Sequence, residues 1–132
     1  MNDLELTQAI LQRIRALDGR YHERAYLFVL AALEYWQRKA GVRGHIAGPD
    51  LARACRDFAL EQFGLTARTV LSHWGIEDTA DIGRIVYVLI DVGLLIRQPT
   101  DKIEDFDRVF DFRKAFEGDY PWSGLRGPVE TA

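Results

Sequence analysis

The stretch "TADIGRIVYVLIDVGLL", residues 79 to 95, constrains the chain more than any other. Ile82, Ile85, Val86, Leu89 and Ile90 fall at i, i+3, i+4, i+7 and i+8, so one face of an α-helix over 79–92 must be buried. Asp78 and Asp81 suit its start, because carboxylates there satisfy otherwise unpaired N–H groups. Gly93 ends it. A helix of this kind needs other apolar elements to cover it, and the rest of the chain supplies them.

Leu6, Ile10, Ile14 and Leu17 predict an amphipathic helix ending at Asp18-Gly19. Residues 21–40 are apolar on most faces, which predicts a central helix. "GVRGHIAGPD" breaks the pattern with a stop at Gly41 and a short strand over 42–47. Pro49 and Asp50 then open a helix running to about Phe63, since proline loses no needed donor in a first turn and the acid suits the dipole. "TARTVLSHW", residues 66–74, reads as a shorter helix closed by Gly75. His73 and Trp74 raise the question of a ligand site, but the spacing predicts a structural corner, with Trp74 filling the angle between this helix and 79–92.

After Gly93 the period changes. "LLIRQ" (94–98) reads as a strand, "PTDKIED" as a loop, and "FDRVFDF" (106–112) as a second strand with Phe106, Phe110 and Phe112 on one face. The expected fold is mainly α with a small β-hairpin, an α+β class with a C-terminal wing of two or three strands. Residues 1–116 form one domain in this reading, and 117–132 a Gly/Pro-rich tail.

"FVLAALEY", "HIAGPDL", "FALEQFG", "VLSHWGI", "TADIGRIVYVLIDVGLL" and "DFDRVFDF" together resemble an uncharacterised family of small bacterial proteins, over about residues 20 to 116. The element order is similar to a winged-helix domain. The resemblance implies a bacterial origin and that fold, and it carries no site residues or activity.

A winged helix suggests nucleic-acid binding, yet the chain's net charge is −3 and the predicted wing is acidic, the wrong sign to face phosphate. A basic surface on the N-terminal helices is the alternative, drawing on Arg13, Arg15, Arg20, Arg24 and, from the later helix, Arg84. Metal binding is disfavoured because His22, His45 and His73 lie far apart with no close Cys or His. The single cysteine, Cys55, shares an apolar face with Leu51 and Phe58, as a buried structural thiol does, and it points to a reducing compartment. No catalytic motif and no cofactor motif is present. The N-terminus does not resemble a secretory signal, and no run approaches the length of a membrane span, so the expected setting is the cytoplasm.

What remains is a non-enzymatic protein-interaction or adaptor module. Its expected contact residues are the acids Asp101, Glu104, Asp105 and Asp107, with Tyr120 and Trp122 as aromatic anchors, the alternative being that Trp122 folds back onto its own domain. A homodimer through the first helix is a further option.

Overall fold

The computed structural model describes residues 3–17, 19–41 and 44–118. Five α-helices carry the architecture: α1 (Asp3–Leu17), α2 (Glu23–Ala40), α3 (Gly48–Phe63), α4 (Ala67–His73) and α5 (Thr79–Asp91). Short 3-10 turns lie at Gly64–Thr66 and Ile103–Phe106, and a wide helical turn at Lys114–Gly118 closes the described chain. No strand occurs among the described residues.

The helix ends follow local chemistry. At α2, His22 Nδ1 accepts the Arg24 N–H at 3.1 Å, and Gly41 closes the helix at φ 71°, a left-handed conformation that glycine adopts without a Cβ penalty. Pro49 sits in the first turn of α3. At α5, Asp78 Oδ1 accepts the Asp81 N–H at 2.9 Å.

One core runs through the molecule. Val29, Ala32, Leu51, Cys55, Leu71, Ile76, Ile82, Ile85 and Leu89 are all buried in it. Small residues let α2 and α3 approach: Ala25, Ala32, Ala52 and Ala59 have no exposed surface.

The wing does not form, and the winged-helix, α+β expectation is overturned. Residues 94–98 form a loop, and 106–112 pass through turns into the start of a helical turn. The cause is a side chain on another element. Thr79 Oγ1 donates to the Phe106 carbonyl at 2.6 Å and accepts the Val109 N–H at 3.2 Å. Those backbone groups would otherwise be available to pair with a neighbouring strand. Arg108, at φ 51°, then turns the chain out of the extended conformation. Phe110, Phe112 and Phe116 pack on one another, with ring centroids 5.1 to 6.3 Å apart. The proposed strand before α3 is also absent over 44–47; Val42 and Arg43 lie outside the described residues.

The segment read as a wing instead covers α5. Phe106 lies directly over Gly83, and a Cβ built on that glycine would come within 2.7 Å of the Phe106 Cβ. Off the Ile82–Ile90 stripe of α5, Asp81, Gly83 and Val88 are also buried, while Asp91 is exposed.

Trp74 packs against the core, with its ring 5.8 Å from Phe28 on α2 and 5.7 Å from Phe63 at the end of α3. Its carbonyl accepts the His22 N–H at 3.1 Å, which ties the α1–α2 turn to the end of α4. Gly75, at φ 96°, is required there, since a Cβ would also press on the Tyr21 ring at 3.1 Å.

The Gly83 contact makes a direct prediction. Gly83→Ala forces the Phe106 ring away from α5 and costs about 1–3 kcal/mol, as overpacking does. Urea denaturation measures it, and an unchanged midpoint would mean that Phe106 does not seal α5.

Candidate functional site

Two features stand out once the fold is in place. One is a buried polar centre at the start of α5. Asp81 is only 7% exposed. Its Oδ1 accepts the Tyr21 hydroxyl at 2.5 Å and Arg84 Nη1 at 2.6 Å, while its Oδ2 accepts the Glu77 N–H at 2.8 Å. Three donors on one buried carboxylate leave little free for a ligand, so the centre holds the structure together. Burial, and then the hydrogen bond to Asp81, push the Tyr21 phenol from 10.0 up to about 12.

The second feature is a cavity of about 380 Å³ between α2, the start of α3, α5 and the 94–106 loop. This volume lies at the lower end of the roughly 300–1,000 Å³ typical of small-molecule sites. Its walls are mostly apolar: Leu33, Ile46, Leu51, Val86, Ile90, Leu95 and Phe106. Tyr87 also lines it, and its Oη is buried without a hydrogen-bond partner. Gln37, His45, Gln98, Asp101, Lys102 and Asp105 supply the polar part of the lining. His45 Nε2 lies 3.1 Å from Asp101 Oδ1 and so links the two loops that flank the cavity. Asp101 Oδ2 accepts the Gln98 N–H at 2.8 Å.

Leu94 and Ile96 also border the cavity, and they are 38% and 83% exposed. Ile103, beside Lys102 on the same connecting segment, is 39% exposed. Leu94 and Ile96, both exposed and both bordering the cavity, form an apolar lip, and Ile103 follows the lining residue Lys102 in sequence.

The four acids expected to meet a partner divide between two settings. Asp101 and Asp105 line the cavity, where Asp105 Oδ2 accepts the Lys102 N–H at 3.0 Å and fixes the local turn. Glu104 and Asp107 are exposed. Tyr120 and Trp122 lie outside the described residues. Sequence reasoning missed His45, Tyr87, Leu94 and Ile96 as site residues; the available signal was the run of exposed-loop aliphatics after Gly93, which was assigned to a strand.

The arginines of the alternative reading differ in what they touch. Arg15 pairs with Glu23, Arg84 binds Asp81, and the Arg20 guanidinium stands 6.0 Å from the Tyr21 ring centroid. Arg13 and Arg24 are exposed. No group of three or more His, Cys, Asp or Glu side chains that could hold a metal ion occurs among the described residues, and no described helix is long and apolar enough to cross a membrane. No family model, curated protein or solved structure matches the chain, so function is argued from geometry alone.

Two measurements check this description. Cys55 is buried, and burial pushes its thiol well above the ordinary range; alkylation by iodoacetamide at pH 8 should therefore require unfolding, and fast native-state labelling would contradict the packing. Tyr21→Phe removes one donor from buried Asp81 and should cost about 1–3 kcal/mol near neutrality. Because the folded phenol titrates above the unfolded one, its contribution is full below pH 10 and is lost as pH rises through about 12. Denaturation midpoints of the wild type should fall more steeply over that window than those of the phenylalanine variant.

Proposed function

We propose that this chain is a non-catalytic protein-interaction domain that docks a partner on the lip formed by Leu94 and Ile96. The observation that carries the reading is the 83% exposure of Ile96, which borders the cavity together with the exposed Leu94. Scattered surface aliphatics are ordinary, whereas a contiguous group beside a concavity is a common mark of an interaction surface. The flanking exposed carboxylates, Glu104 and Asp107, set the partner's chemistry. It presents aliphatic or aromatic side chains with Lys or Arg beside them, so that apolar contact supplies affinity and charge supplies orientation and rate.

The buried setting of Cys55 supports the non-catalytic part, because an inaccessible thiol with a raised pKa is a poor nucleophile. The nucleic-acid alternative has less support, since Arg15 and Arg84 face carboxylates and α5 is covered by Phe106.

The test uses the full chain immobilised in native bacterial lysate. Ile96→Asp should lower affinity for the retained partner by roughly ten-fold or more, and Glu104→Lys with Asp107→Lys should weaken it further at low salt, with melting temperatures unchanged. Retention indifferent to all three substitutions would place the interface elsewhere.

A further inference from the structure

We propose that the cavity beneath the lip is a binding site for a small cationic amphiphile, an amine carried on an apolar body of one or two rings. The inference concerns the interior of the cavity and stands independently of docking at the lip. A volume of about 380 Å³ walled by Leu33, Val86, Ile90 and Phe106 suits a compact apolar body. The aromatic side chains of Tyr87 and Phe106 belong to the same lining and suit a cation held near them.

The sign of the head group follows from which charges at the cavity are fixed. Asp101 is anchored twice, by the Gln98 N–H on Oδ2 and by His45 on Oδ1, and its side chain is 19% exposed. Asp105 is anchored by the Lys102 N–H. The opposing ammonium of Lys102 belongs to an exposed residue on a flexible stem and can turn into water. Among the lining residues held carboxylates therefore outnumber held cations; Arg97, held on the Asp101 backbone carbonyl at 2.9 Å, lies outside the lining. The carbonyl oxygens of the Gln37 and Gln98 side-chain amides offer an ammonium further acceptors, and a bound carboxylate would instead meet Asp101 and Asp105.

Tryptamine, 3-ethylindole and 3-indolepropionate share an indole body and differ in charge, so they separate the apolar from the ionic contribution. Each is titrated into the full chain at pH 8 and followed by amide chemical shifts. Tryptamine should bind about ten-fold more tightly than 3-indolepropionate, with 3-ethylindole between them and shifts centred on Tyr87, Leu95 and Ile96. Asp101→Asn keeps an acceptor for the Gln98 N–H while removing the charge, and should narrow the gap between amine and acid. Leu33→Trp should fill the cavity and abolish all three responses. The proposal is overturned if no probe shifts the cavity resonances, if the acid binds as tightly as the amine in the unsubstituted chain, or if the shifts map to another surface.

Discussion

The contact between Phe106 and Gly83 is the constraint on which the rest of the structure depends. An amphipathic helix normally keeps one face for water, but α5 is buried among α2, α3 and the segment that follows it. Such burial is possible because a residue without a side chain stands where the aromatic ring arrives. The ring brings its backbone with it, and Thr79 secures that backbone by both donating and accepting. The loop from Leu94 to Lys102 then runs between the end of α5 and this anchored turn, and it lines one side of the cavity.

Asp81 shows how a charge is accommodated in the same helix. A buried carboxylate is costly unless its lone pairs are filled, and here they are filled from three directions: the α1–α2 turn through Tyr21, the α4–α5 link through Glu77, and α5 itself through Arg84. Removing any one donor leaves a charge with fewer partners rather than a smaller charge. The centre therefore fixes the angle at which α5 leaves the preceding turn, and through that angle the position of Gly83.

The helices were legible in the sequence because each obeys a local rule. The 3.6-residue spacing from Ile82 to Ile90, the proline at the head of α3 and the glycine after α2 each specify structure within a few residues. The C-terminal third was not legible, for a physical reason. Phe106, Phe110 and Phe112 resemble strand residues, but their backbone is captured by Thr79, nearly thirty positions earlier, and nothing local announces that hydrogen bond. Asp81 was legible only as a residue of the helix start, since its partner Tyr21 is sixty residues away. The site was legible only in part. Asp101 and Asp105 were singled out for their charge, whereas Tyr87 and His45 matter through the loops that meet around them.

Chain order gives the Phe106 seal a consequence during biosynthesis. The cover of α5 is encoded after the helix it covers, so a growing chain holds Gly83 and its neighbours uncovered until the later segment has been made and released. At ordinary translation speeds, about one to five seconds separate the two residues. A message cut short before Phe106 would leave every helix of the bundle present and the central one bare, the kind of truncated product that chaperones and proteases must intercept.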